Sequence, residues 1–271
     1  MHKKKSIMKF CSFASGSDGN CYYIGTDTCG ILIDAGISIK AIKKNLKQLG
    51  ISLSSIYAVF VTHDHYDHIA SVGTLGEVYN IPIYSTQAIL EGINRCYKVS
   101  DKLYQSKHVQ ELGTTINIAN ISITSFHVNH DSTQCVGYYV ESEGDNLVIA
   151  TDLGYINDEA IPFLLKSNNL VIETNYDEEM LLQGSYPLFL KKRILGNNGH
   201  LANHVTARFL AENHQDHWKH IFFCHLSKEN NSADAVLSML SKQYDTCGIK
   251  SEERPELTIL PRTTPIDLCI I

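Results

Sequence analysis

A mixed α/β fold is what this chain predicts, and three observations lead to it. Short runs rich in β-branched and aromatic residues, such as 56–61, give way to polar residues, as buried strands do. Between them lie stretches with apolar residues on one helical face, such as 38–49. The 271 residues, 44% of them hydrophobic, supply a large core and contain no low-complexity tract, internal repeat or Pro- or Ser-rich linker. Strands alternating with helices imply mixed α/β, and one domain over 1–271 is expected.

In chain order, strands are expected at 9–13, 21–25 and 30–33, then a helix at 38–49. That helix gathers Ile39, Ile42, Leu46 and Leu49 on one face and leaves Lys40, Lys43, Lys44 and Lys47 elsewhere, as a solvated face. A strand at 56–61 precedes helices at 69–79 and 86–96. Strands at 116–118, 121–127, 135–141 and 146–150 come next, followed by a helix at 158–166 and a strand at 170–173. Helices at 186–194 and 204–213, a strand at 220–224 and a helix at 233–243 complete the set.

The first five residues are basic, but Lys9 and Asp18 break up the stretch after them, so no apolar core of a signal peptide forms. No stretch has the apolar length to cross a bilayer, and a cytoplasmic location without a membrane partner is expected. Residues 1–7 are expected as a loose tail, with Met8 where the first strand begins. None of the eight cysteines has the short spacing of a zinc ribbon or redox pair, so they are expected to be reduced.

The run His63-Asp64-His65-Tyr66-Asp67-His68 carries the most chemistry. It follows the apolar strand 56–61, where strand gives way to loop. Alternate residues of extended chain share a face, so His63 and His65 can address one ion, while Asp67 and His68 can address a second. Imidazole with carboxylate suits Zn, Mn or Fe better than Ca or Mg. A polar surface loop is the competing account, but three imidazoles so close together favour a metal.

His63-x-His65-x-Asp67-His68 resembles the motif of the metallo-β-lactamase superfamily, and later motifs occur in order: His130-Asp131-Ser132, Thr151-Asp152-Leu153-Gly154 and His225-Leu226-Ser227. The resemblance implies one metal on His63, His65 and His130, another on Asp67, His68 and His225, and Asp152 shared. His127 competes with His130 but lies within the strand 121–127, and loops collect ligands. Asp152 has a helix N-cap as its competing role. Yet an apolar strand ends at Asp152, and another ends at His225.

Ser15-Gly16-Ser17-x-Gly19-Asn20, Ile33-Asp34-Ala35-Gly36, Glu173-Thr174-Asn175-Tyr176-Asp177, Gly199-His200-Leu201-x-Asn203 and His225-Leu226-Ser227-Lys228-Glu229-Asn230-Asn231 narrow the resemblance to the YycJ/WalJ-like branch, with Ala202 where that branch usually carries serine. The implied fold is a four-layer αββα sandwich with a dinuclear metal site at one edge of its two β-sheets. The implied cofactors are two divalent ions, zinc first, with manganese or iron as alternatives.

The implied activity is metal-dependent hydrolysis of phosphodiesters, as a 5′ to 3′ exonuclease on DNA. Asp67 would orient the attacking water, and His200 would stabilise developing charge or protonate the leaving oxygen. Asn203 is expected to cap the helix 204–213 and, with Lys228, to meet the phosphate. Glu173 is expected to fix a ligand imidazole. An ordinary loop histidine competes for His200, and a surface carboxylate for Glu173. A net charge of -6 argues for weak, sequence-independent nucleic-acid binding, helped by a local strip at Lys191, Lys192 and Arg193. A small-molecule hydrolase of the glyoxalase II or lactonase type, and a non-catalytic metal-stabilised binding protein, stand as alternatives.

Overall fold

The structure, a computed structural model, describes residues 7–271. Of the expected tail only Ile7 falls within them. The strands are β1 (Lys9–Ala14), β2 (Cys21–Gly25), β3 (Gly30–Ile33), β4 (Ile56–Phe60), β5 (Ile83–Ser85), β6 (Lys107–Val109), β7 (Thr115–Ile118), β8 (Ile121–His127), β9 (Val136–Ser142), β10 (Asp145–Ala150), β11 (Asn169–Glu173), β12 (His220–Cys224), β13 (Glu256–Ile259) and β14 (Cys269–Ile270). The helices are α1 (Ile39–Gln48), α2 (Tyr66–Ile69), α3 (Gln87–Arg95), α4 (Ile161–Lys166), α5 (Glu178–Gln183), α6 (Leu188–Ile194), α7 (Asn203–Glu212) and α8 (Ala233–Thr246).

The strands form two seven-stranded sheets. The first runs β14-β1-β2-β3-β4-β5-β6 and the second β13-β12-β11-β10-β9-β8-β7. In each, one part is antiparallel and the other parallel: β3 to β6 in the first and β10 to β13 in the second are parallel. Period-2 alternation sorts the second sheet's side chains. Leu147, Ile149, Val171 and Phe222 pack into the core shared with the first sheet, while Val148, Ala150, Leu170, Ile172, Ile221 and Phe223 pack with Leu210 of α7 and Leu240 of α8. Ile42 and Leu46 of α1 and Ile89, Leu90 and Ile93 of α3 join the first sheet's core. The layers are therefore helices, sheet, sheet, helices, as in a metallo-β-lactamase fold.

Two differences from the sequence reading have local causes. The helix expected over 69–79 is present but broken: α2 ends at Ile69, a turn follows at 70–71, and helical chain resumes at 72–73 and runs into a π-helical turn at Thr74–Val78, closed by Tyr79 N–H to the Thr74 carbonyl. A Cβ on Gly73 would lie 1.9 Å from the Asp101 carbonyl oxygen, so this segment is pressed against a neighbouring loop. The strands β5, β6, β13 and β14 went unread: β5, β6 and β14 have only two or three residues each, and β13 lies between charged residues and a Pro-Arg pair with no polar-to-apolar contrast to mark it.

The loop after β4 is tied to both sheets. Val136 N–H donates to the Thr62 carbonyl at 2.9 Å, and the hydroxyls of Ser85 and Tyr138 donate to the Val61 carbonyl at 2.7 and 2.8 Å. The histidine-rich segment thus leaves from a fixed point at the carboxyl end of parallel strands, where open α/β sheets place their ligands.

Candidate metal centre

Three donors sit just beyond strand ends in left-handed backbone: Asp34 after β3 (φ 59°), Asp152 after β10 (φ 55°) and His225 after β12 (φ 56°). Non-glycine residues seldom adopt this region, and Asp and His are among those that tolerate it best. Each such residue costs on the order of 1–3 kcal/mol, a strain retained where the surroundings hold it. Here it turns each side chain off the strand toward a common point.

The sequence-predicted residues converge there. His63, His65 and His130 form one set of potential ligand atoms lying within 4.8 Å of one another, and Asp67, His68 and His225 form another. Asp152 stands between them, with Oδ2 3.3 Å from His68 Nε2 and Oδ1 3.2 Å from His225 Nδ1 and 3.8 Å from His130 Nε2. His63, His68 and Asp152 make a third set, and Asp152, Glu173, His200 and His225 a fourth. His127 stays outside, beside Asn157 and Glu159.

Each of the five imidazoles directs one nitrogen to a protein acceptor. His63 Nδ1 meets Thr62 Oγ1 at 3.0 Å, and that hydroxyl spends its own proton on Asp34 Oδ2. His65 Nε2 meets the Asp131 carbonyl at 3.1 Å, and His130 Nδ1 the Gly199 carbonyl at 2.9 Å. His68 Nδ1 meets Asp34 Oδ2 at 2.7 Å, and His225 Nδ1 meets Glu173 Oε1 at 3.1 Å. An imidazole that donates from one nitrogen keeps a lone pair on the other, which is how a metal-ligating histidine is prepared. Among the described residues, His63 Nε2 and His225 Nε2 are buried without a hydrogen-bond partner. Such atoms cost about 1–3 kcal/mol each unless something engages them. The donor set and its orphaned nitrogens therefore fit divalent metal.

The electrostatics divide the imidazoles: burial opposes the charged form, yet Asp34 and Asp152 hold His68 well above its ordinary value and Asp152 holds His225 up to about 10, so an ion binding there displaces a proton from each. Burial opposes ionisation of Asp152, but the His225 and His68 imidazoles beside it more than offset this and hold its carboxyl well below the usual range. Glu173, wholly buried, is likewise disfavoured as an anion by burial yet lowered by His200. Burial pushes the His63 imidazole well below its ordinary value, which keeps it neutral and able to ligate.

Glu173 ties the centre to its surroundings. One oxygen, Oε1, accepts from His225 Nδ1 and, at 2.7 Å, from His200 Nδ1; the other accepts from the Leu153 and Leu201 backbone N–H groups at 2.7 and 3.2 Å. His200, partly exposed, has its ring centroid 4.9 Å from that of His130 and 5.3 Å from that of His225. Lys228 is exposed and makes no hydrogen bond or ion pair with the donors.

Asn203 requires a correction. It is the first residue of α7, Ala202 is the cap, and the buried Asn203 side chain exchanges 2.9 Å hydrogen bonds with Asn231 instead of capping the helix or reaching a substrate. The Asn203 N–H donates to the Tyr176 carbonyl, next to the bridge between Tyr176 and Ala202, which starts the helix one residue early.

Sequence reasoning left several supporting residues without a role. Asp34 accepts from His68 and from the N–H and hydroxyl of Thr62, the N–H at 2.8 Å, and its signal was the one used for Asp152 and His225, an apolar strand ending in a donor. The Ser15 hydroxyl accepts from His225 N–H at 3.0 Å, and Asn20 Nδ2 lies 2.9 Å from His68 Nε2. Asp131 accepts from Nε and Nη2 along one edge of the Arg193 guanidinium, the Nη2 contact being 3.0 Å, and sets Oδ1 3.3 Å from His130 Nε2.

Comparison with known proteins agrees with this geometry. A family model described as the beta-lactamase superfamily domain matches residues 30–220. The chain is 32% identical over 250 residues to exodeoxyribonuclease YycJ of Bacillus anthracis, covering 92% of this chain and 94% of the relative. It is 34% identical over 223 residues to exodeoxyribonuclease WalJ of Streptococcus pneumoniae, covering 82% and 83%. Among solved structures, the metallo-β-lactamase fold protein YhfI from Bacillus subtilis superposes with a TM-score of 0.70 at 17% identity, over 96% of this chain and 99% of that one. The chain belongs to the metallo-β-lactamase superfamily, in its YycJ/WalJ-like branch, and is a metal-dependent hydrolase.

Proposed function

We propose that the protein hydrolyses phosphodiester bonds of DNA, working along a strand from its 5′ end. The observation that carries this reading is His200, an imidazole held at the mouth of the donor cluster by Glu173 rather than tied down as a buried ligand. The names of the two exodeoxyribonuclease relatives support the choice of DNA. Two divalent cations, zinc with manganese or iron as alternatives, are assigned to His63, His65 and His130 and to Asp67, His68 and His225, with Asp152 shared. When bound, such a pair supplies an acidified water and neutralises charge on attacking and leaving oxygens.

The remaining work falls to side chains. Asp67, a quarter exposed, faces the opening and orients the attacking water by accepting its proton. Glu173 accepts from His200 Nδ1 and aims Nε2 outward; in the doubly protonated ring the Nε2–H would pass its proton to the leaving oxygen or stabilise its charge, and the neutral ring would be reprotonated from solvent. Lys228, free at the surface, offers a point charge to a neighbouring phosphate. With an overall charge of -6, binding is weak, salt-sensitive and indifferent to sequence.

The test is purified protein with Zn or Mn, offered end-labelled single- and double-stranded DNA, RNA and a thioester. Stepwise shortening of DNA from the 5′ end is expected. Intact nucleic acid beside a consumed thioester overturns the reading in favour of a small-molecule hydrolase.

A further inference from the structure

Helix α6 carries an aromatic side chain that the fold does not use. Phe189 is 74% exposed, and among the described residues no ring or cation packs on it. By contrast Tyr66, between His65 and Asp67, is covered by the Lys98 ammonium 5.0 Å from its ring centroid. An isolated exposed phenylalanine is ordinary in itself. Its placement is not.

Residues four apart share a helix face, so Phe189 lies on the side of α6 that carries Arg193, about 6 Å away along the axis, with Lys192 flanking both. Arg193 is clamped to Asp131, whose carbonyl meets His65 and whose carboxylate meets His130. The same end of the helix is fixed a second time, since the His200 N–H donates to the Ile194 carbonyl at 3.1 Å. The carboxyl end of α6 is thus held against the rim of the metal centre, and Phe189, with the exposed Leu188 beside it, stands one turn back from that anchor. Lys192 is exposed and has no ion-pair partner among the described residues.

We infer that Phe189 is the platform on which a nucleobase of the DNA strand stacks while the adjoining phosphodiester enters the metal centre, with Lys192 against the strand's backbone. The inference rests on the phosphodiesterase reading and adds how the strand is held. Charge complementarity selects this occupant: a cation and an aromatic face side by side suit a strand that is anionic along its backbone and flat at its bases. It also answers the overall charge of -6, because stacking draws on no net positive charge. Every base has a π-face, so the grip is indifferent to sequence.

The test uses pairs of single-stranded deoxyoligonucleotides, identical except that one lacks the bases next to the scissile bond. Stacking is worth about 1–3 kcal/mol per base, so the wild type should cleave the base-bearing member about 5- to 150-fold more efficiently. Phe189→Ala should shrink that ratio to about twofold or less, and Phe189→Trp should retain it. A wild-type ratio near one, or a ratio unchanged in Phe189→Ala, overturns the inference. So does a change of molecular mass in gel filtration with the ratio intact, which assigns the face to a second copy of the chain. If the wild type cleaves no DNA, the proposed function falls on its own. Fluorescence anisotropy with the same pairs then judges the stacking, and equal affinity for both members overturns it.

Discussion

The first sheet delivers four potential donors within six residues, His63 to His68, from the single loop after β4, whereas the second delivers His130, Asp152 and His225 one at a time from beyond the separate strands β8, β10 and β12. A loop can gather donors by local geometry alone. Strand ends converge only when β10, β11 and β12 are in register and the sheets are packed. Asp152, between the donor sets, and Glu173, between the His200 and His225 imidazoles, both come from the second sheet. The first sheet therefore furnishes two of the three donors in each set, and the second completes both and couples them to each other and to His200.

Asp152→Ala should show this most strongly. Metal content, read by elemental analysis, should fall from about two ions per chain toward none, with hydrolysis reduced about a thousandfold or more. His63→Ala, in the loop, should remove one ion and its share of activity. Equal loss of a single ion in both variants would remove the distinction and make Asp152 a ligand of one site only.

His200→Ala comes next in size. It should keep the full metal complement and near-normal substrate affinity while turnover falls about a hundredfold or more, the scale of a lost acid or charge stabiliser. Loss of a metal in this variant would show that the set Asp152, Glu173, His200 and His225 holds an ion itself.

The smallest effects should separate the carboxylates behind each sheet's ligands. Glu173→Gln and Asp34→Asn should each cost about ten- to a hundredfold, but in different quantities. Asp34 serves His68, a proposed ligand, so its loss should appear in competition with a chelator and leave kcat at saturating metal near wild type. Glu173 also serves His200, so its variant should lose kcat even when metal is saturating. Matching profiles would mean that Glu173 acts through His225 alone.

The sequence made the first sheet's loop legible because all its donors are adjacent. It made Asp152 and His225 legible because an apolar run stopping at a donor is a repeated local pattern. Asp34 stops β3 in the same way and was visible without its role, since nothing in the chain shows that Thr62 and His68 will meet it. Asn203 misled because asparagine is a good N-cap; a bridge between Tyr176 and Ala202, residues distant in the chain, moved the helix start and turned the amide inward. Strands β2, β3, β8 and β12 were readable to the residue because each apolar or β-branched run begins after, or ends at, a polar residue or glycine. β6 is three exposed residues and became a strand only by pairing with β5.

The left-handed backbone at Asp34, Asp152 and His225 bears on how such a centre can change over generations. At those three positions the main chain accepts few residue types, chiefly Asp, Asn, His and Gly, whatever the ion prefers. A cysteine or glutamate that would retune the metal meets a steric toll there before its chemistry is tested. His65, by contrast, has φ -68° and carries no such restriction. Shifts in metal preference are thereby channelled into the loop, while the strand ends keep their donors for reasons of backbone as much as of coordination.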